Sequence, residues 1–282
     1  DTMPERFDTL LRLSGFSHGT DVWMGNAREL ILSGTASVLE TVGCRDDIML
    51  YLISKGLDPK MSFKIMEAVR KGKVKKGGFQ DGWEDAMHKA NVPDWYIESL
   101  AKIGYLFPRA HAVAYVMMAF RIAWFKVYQP LAYYAAYFTI RAEGSFNAPV
   151  ILRGLASMKQ ELARIAALDK PTAVEKGNAT VIEVAAEMYL RGLSFLPIDL
   201  EKSDASQFLM VDGKLLPPFN CIPALGDAVA KEIVLARQDH PFTSKEDLKK
   251  RGKVSQSIID TLDSMGVLKG LPEEEQMSLF AF

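Results

Sequence analysis

Cysteine is scarce. Only Cys44 and Cys221 occur in 282 residues, and neither belongs to a Cys-x-x-Cys pair or a Cys/His group with zinc spacing. That excludes a disulfide framework or a zinc module and fits a reduced, cytoplasmic compartment. An excess of charge of one sign is also lacking: 34 Lys plus Arg stand against 35 Asp plus Glu, a net charge of −1. Any nucleic-acid site must therefore be a local patch and not a uniformly basic coat. The longest apolar run, Ala112 to Phe120, stops at Arg121, well short of the ~20 residues of a membrane span, so no membrane partner is expected. Neither an initiator Met nor a basic-then-apolar signal segment stands at the start, and the chain reads as a piece of a longer polypeptide.

What is present is ordinary globular composition, 49% apolar and 24% charged, in a length that suggests two domains. Apolar residues recur three and four apart through the first two thirds, which predicts a mainly α fold. Asp58-Pro59 starts a helix that ends at Gly72. The stretch 74–83, VKKGGFQDGW, predicts a flexible basic loop, and Val92-Pro93-Asp94 opens the next helix. Residues 108–128 are apolar nearly all round, the pattern of a helix buried in a helical array. Gln129-Pro130 ends it before an aromatic-rich helix, and 148–168 and 171–191 follow as two more. Between Ser194 and Leu216, short β-prone runs flank Asp212-Gly213 and predict a hairpin or a three-stranded element. Helix-length segments follow at 226–237, 243–251 and 254–265. Residues 271–282 read as a flexible tail.

Four constellations could carry chemistry. In Ile222–Arg237 a tight turn at Gly226 would leave the amides of Asp227, Ala228 and Val229 pointing outward, where a phosphate could dock. A degenerate second copy at Val254–Leu268, closed by Ser264-Met265-Gly266, would repeat it in tandem. Such contacts suit a duplex backbone and read no bases. Lys245, Lys249, Lys250, Arg251 and Lys253 supply positive charge; the rival reading is a small helical domain with a glycine cap and a solvated basic face. The cluster Lys64, Arg70, Lys71, Lys73, Lys75 and Lys76, opposed mainly by Glu67, could hold a polyphosphate, or could merely complement a helix C-terminus.

In Phe107–Tyr115, FPRAHAVAY, Arg109 and His111 on a first helical turn could meet an anion while Phe107 packs on a flat ring. A hydrogen-bonded structural histidine is the rival. Ser17, His18 and Asp21 invite a triad, but triad members are generally far apart in sequence, so a hydrolase is disfavoured. Finally, Gln276, Met277, Ser278, Leu279 and Phe280 form a short linear peptide able to plug an apolar pocket on a partner, or to fold back on its own domain.

Taken in order, the stretches SGFSHGTDVWMGNARELI, CRDDIMLYLISKGLDPKMSFKIMEAVRKGK, VPDWYIESLAKIGYLFPRAHAVAYVMMAFRIAWFKVYQPLAYYAAYF and SKEDLKKRGKVSQSIIDTLDSMGVL resemble the C-terminal part of the PolC-type bacterial DNA polymerase III alpha subunit. The resemblance covers the whole chain. It implies a helical fingers domain over 1–192, a small α+β duplex-binding domain with a tandem helix-hairpin-helix over 193–270, and a tail over 271–282 whose QMSLF motif docks on the sliding clamp. Arg70, Lys71, Arg109 and His111 would face the triphosphate of an incoming dNTP, Phe107 its base, and Ser17 and His18 would border the pocket. The primer-template duplex would meet Lys73, Lys75, Lys76, Leu225, Gly226, Asp227, Ala228, Lys231, Lys249, Lys250 and Lys253.

Two departures stand out: Ala224 in IPALG where glycine is more usual, and Met277 where leucine is usual. The palm carboxylates that bind metal are not in this chain, and Asp46-Asp47 is more simply a helix cap. The remainder of the polymerase chain is thus an implied partner. Mg2+ is expected at its palm, with none held here, and this piece alone should not extend a primer. The rival is a non-catalytic DNA-binding and clamp-recruiting module with the first 190 residues as scaffold.

Overall fold

The computed structural model describes residues 2–142 and 144–274. The expected clamp motif, Gln276 to Phe280, lies outside the described residues. The described chain is mainly α. It forms two compact units, residues 1–122 and 123–282, and the division falls inside a helix and not at the expected 192/193.

The first unit contains α1 (Phe7–His18), a kinked turn at Trp23–Ala27, α2 (Arg28–Leu32), α3 (Arg45–Ser54), α4 (Pro59–Arg70), α5 (Lys73–Gly77), α6 (Trp83–Lys89) and α7 (Asp94–Lys102). α4 begins as its sequence implies: Asp58 accepts from the Met61 amide at 2.8 Å and Pro59 occupies the first turn. Its buried face, Ser62, Ile65, Met66 and Val69, packs with Ile48 and Leu52 of α3 and with Tyr96, Leu100 and Leu106. The expected loop at 74–83 is partly helical. α5 forms because Val74 has a core position to fill, at 3% exposed, and burial of one apolar side chain outweighs the glycines' preference for loop.

Arg12 of α1 ties this unit together. Its guanidinium donates to Thr41 O at 2.8 Å, to Leu39 O at 2.9 Å and to Asp47 Oδ2, and that carboxylate also accepts from the Gly43 and Cys44 amides at 3.1 and 2.7 Å. Asp47 is therefore a helix-start residue with structural partners.

α8 (Arg109–Tyr128) carries the chain across the division. It was expected to be buried, yet only Ala112 and Val116 are. Tyr115, Met117, Met118, Phe120, Ile122, Trp124, Phe125, Val127 and Tyr128 are 42–64% exposed. By length and composition alone it could cross a membrane, which the nine-residue apolar run did not suggest because Arg121 interrupts it.

The second unit contains α9 (Pro130–Arg141), α10 (Ala148–Ile151), α11 (Leu155–Ala166), α12 (Ala173–Leu190), strands β1 (Leu209–Val211) and β2 (Lys214–Leu216), α13 (Asp227–Asp239), α14 (Lys245–Arg251) and α15 (Gln256–Ser264). The segment expected as one helix over 148–168 is two, broken at Gly154, where φ is +92°. β1 and β2 pair antiparallel with Met210 opposite Leu215, joined by Asp212-Gly213 with positive φ at both residues, as a tight hairpin requires. A third strand is absent among the described residues; a single bridge, Phe195 to Leu215, stands in its place. One core runs from Tyr134 and Phe138 of α9 through Ile182 and Met188 of α12 to Phe219, Ile233, Leu248 and Leu262. That continuity is why residues 123–192 belong with the hairpin elements.

Candidate nucleotide and nucleic-acid sites

In the first unit, three segments bearing candidate residues converge on residues 104–107. Thr20 N donates to Tyr105 O at 2.9 Å, and Gly104 N and Tyr105 N donate back to Thr20 O at 2.9 and 3.2 Å. Leu106 N donates to Arg70 O at 3.3 Å, which brings the end of α4 alongside. At Gly72 φ is +64°, and a Cβ there would stand 2.5 Å from Gly104 O. Only glycine permits both that conformation and that approach. Lys75 Nζ reaches Asp21 Oδ2 at 2.7 Å.

An aromatic row follows. The rings of His18 and Phe107 lie 5.1 Å apart, Phe107 and His111 5.7 Å, and His111 and Tyr115 6.3 Å. Ser17 Oγ sits 2.9 Å from His18 Nδ1. Arg109 begins α8, its amide donating to Asp46 Oδ2 at 2.8 Å and its guanidinium 3.9 Å from Asp47 Oδ1. Ser17, His18, Arg109 and His111 are exposed and Phe107 is half-buried, so the row presents a flat ring edged by imidazoles and a guanidinium. Asp21 is engaged by Lys75, which removes the third member a triad would need. From the sequence, Tyr115 was given no role and Asp46 only that of a helix cap; Tyr115 lies one helical turn past His111, a spacing that could have revealed it.

Arg70 and Lys71 are not free cations. Both engage Glu67, Arg70 through Nε and through Nη2 at 3.0 Å, and Lys71 at 2.8 Å. Those hydrogen bonds, Arg70's first, pull the Glu67 carboxyl down to about 2. Cys44 is pushed up to about 12, chiefly by burial and then by Asp47, and burial likewise raises Cys221. Both thiols are thus held neutral and unreactive.

In the second unit, the turn Ile222-Pro223-Ala224-Leu225 is closed by Leu225 N donating to Ile222 O at 3.1 Å. Ala224 takes a φ of +67°, the third position of a β-turn that favours glycine. Leu225 is buried and Gly226 caps α13. The amides of Asp227, Ala228 and Val229 have no acceptor among the described residues outside the helix. The Asp227 carboxylate accepts from Asn220 Nδ2 at 2.9 Å. What precedes the turn is a single 3-10 turn, Phe219–Cys221. A cleft of about 560 Å³ adjoins it, lined by Asn147, Asn178, Asn220 and residues 222–226.

The second pair is α14 and α15, joined through Gly252-Lys253-Val254 with Lys253 at φ +53°. It was expected at 254–268, but Gly266 at φ +76° simply ends α15, its amide donating to Asp263 O at 2.8 Å. The basic patch is smaller than the count of lysines. Arg251 turns inward to Asp247, Ala236 O and His240 O. Lys253 pairs with Glu232 at 3.0 Å, Lys249 donates to Gln256 at 3.0 Å, and Lys245 meets Asp263 and Glu273. Lys73, Lys76, Lys231 and Lys250 have no ion-pair partner among the described residues.

The first unit thus presents an aromatic and cationic edge, and the second leaves the first amides of α13 without an acceptor outside the helix, an arrangement suited to nucleotide and phosphate-backbone contacts. Residues 1–91 match the model of the bacterial DNA polymerase III alpha subunit finger domain, and residues 192–277 match that of the helix-hairpin-helix motif. Along its whole length the chain is similar to a segment of PolC-type DNA polymerase III proteins. It is 55% identical over 281 residues to the DNA polymerase III PolC-type of Pediococcus pentosaceus, 52% over 280 to that of Thermotoga maritima and 51% over 282 to that of Bacillus subtilis. Each comparison covers 99% of this chain and 19–20% of the relative, so the chain spans about a fifth of their length.

Proposed function

We propose that this chain supplies the incoming-nucleotide and duplex contacts of a replicative DNA-directed DNA polymerase. The observation that carries the reading is the convergence of residues 17–21, 70–75 and 104–111, from three separate helix ends, at one exposed aromatic and cationic edge. Arg109 and His111 would meet the triphosphate of a dNTP, Phe107 its base, and Ser17 and His18 the margin, because phosphoryl transfer gains most from cations placed around developing charge. Arg70 and Lys71 would join them on exchanging Glu67 for phosphate. The amides at 226–228 and the lysines near 250 would grip the duplex backbone, and QMSLF would tether the protein to the sliding clamp, raising processivity through effective concentration.

Among the described residues no group of three or more His, Cys, Asp or Glu could hold a metal ion. On this reading the Mg2+ of nucleotidyl transfer would be held by palm carboxylates outside this chain, and the 282 residues alone would not extend a primer. That remaining polypeptide, about four fifths of the length of the relatives, is also the occupant we assign to the uncovered apolar surface of α8.

One observation favours the rival in which the first 190 residues are scaffold: Glu67 already satisfies both Arg70 and Lys71. Steady-state kinetics of the full polymerase separate the two. Arg109→Ala and Lys71→Ala should each raise the dNTP KM roughly tenfold, the loss of one charge-assisted contact, and leave duplex affinity within about twofold. An unchanged KM for both would favour the scaffold.

A further inference from the structure

The start of the segment expected as a flexible tail is built into the second helix pair. Leu271 packs on the unit's core, its amide donating to Leu268 O at 3.0 Å. The chain then lies across the start of α14, whose first amides a helix leaves unpaired. Lys245 N donates to Pro272 O at 2.9 Å and Glu246 N to Glu273 O at 3.1 Å. The Lys245 ammonium reaches Glu273 Oε1 at 2.6 Å and Asp263 Oδ2 at 3.2 Å, on a side chain only 14% exposed. Two backbone hydrogen bonds, an apolar anchor and a cation shared by two carboxylates are more than a solvated linker needs.

We propose that Lys245 and Glu273 fix the root of the terminal peptide, which makes Lys245 a positioning residue for docking on the sliding clamp. The proposal rests on reading QMSLF as the clamp-binding motif. Gln276 is three residues beyond Glu273, a reach of at most about 10 Å at ~3.5 Å per residue. A clamp that holds the peptide is therefore held beside α14 and α15, the pair assigned to the duplex. A tail free from residue 271 would spread the same peptide over a larger volume and lower its effective concentration at the ring.

The test uses the full polymerase with purified clamp and primed template. Glu273→Lys turns the attraction to Lys245 into repulsion at a residue whose side chain is 79% exposed, so the fold is not at stake. Clamp-dependent product length per binding event should fall about fivefold. Clamp affinity without DNA, and product length without clamp, should stay within about twofold. Combining Lys245→Glu with Glu273→Lys reverses the pair and should recover about half of the loss. The proposal is overturned if Glu273→Lys leaves clamp-dependent length unchanged, or if clamp affinity falls as far as length does. The underlying motif reading is tested separately by a Leu279→Ala, Phe280→Ala double variant. Undiminished clamp affinity there would remove that reading, whatever Glu273→Lys does.

Discussion

At the scale of single residues, Ala224 and Glu67 show how a side chain can be held against its own preference. Ala224 adopts a left-handed φ of +67°, which costs a residue with a Cβ about 1–2 kcal/mol, part of which glycine's greater unfolded-state freedom would cancel. Ala224→Gly should accordingly stabilise the protein by about 0.5–1 kcal/mol, seen as a higher urea midpoint with an unchanged slope. An equal or lower midpoint would mean that the turn relaxes without the glycine. Glu67 has its folded-state pKa lowered to about 2 by Arg70 and Lys71. A depressed carboxylate adds stability that is complete above the ordinary value of about 4.3 and is lost as pH falls towards about 2. An NMR titration of its side-chain carboxyl should show a midpoint well under 4, and Glu67→Gln should flatten the acid limb of the stability curve.

At the scale of elements, close approach decides more than propensity does. The α4–α5 junction passes so near residue 104 that a Cβ on Gly72 would stand 2.5 Å from Gly104 O, at a φ of +64°. Gly72→Ala should therefore cost about 2 kcal/mol or more, the sum of a left-handed penalty and a backbone clash. Because Leu106 N bonds to Arg70 O beside it, the same change should raise the dNTP KM of the full polymerase. Thermal unfolding and kinetics on one variant would check both. α8 shows the converse. Its apolar periodicity was legible, but which polypeptide covers an all-round apolar helix is not a property of the helix, and most of its apolar side chains are exposed among the described residues.

At the scale of the whole molecule, a net charge of −1 means that the proposed duplex binding would fall to a few local cations. Lys231 and Lys250 stand without ion-pair partners among the described residues, whereas Lys253 and Lys245 are engaged by carboxylates. Each free lysine that meets a phosphate adds about 0.9 to the slope of log affinity against log salt. Lys231→Ala with Lys250→Ala should therefore reduce that slope by nearly two units, and Lys253→Ala by much less. Equal effects from all three would mean that Glu232 releases Lys253 on binding.

The sequence by itself determined the helix starts at Asp58-Pro59 and Val92-Pro93, the hairpin at Asp212-Gly213, the turn before α13 and the kinship with PolC-type polymerases, but it misplaced the second helix pair. Each feature it determined is written in local pattern or in long agreement of residues. Tertiary structure alone decided which cations are free. A lysine's charge is visible in a sequence, but the carboxylate facing it, such as Glu232 opposite Lys253 or Asp263 opposite Lys245, comes from another helix. It also decided that residues 123–192 share a core with the hairpins, because Tyr134, Met188 and Leu248 meet only when the chain has folded back on itself. Local preference acts over a few bonds, whereas burial and ion pairing act across space, and only the folded chain brings the distant partners together.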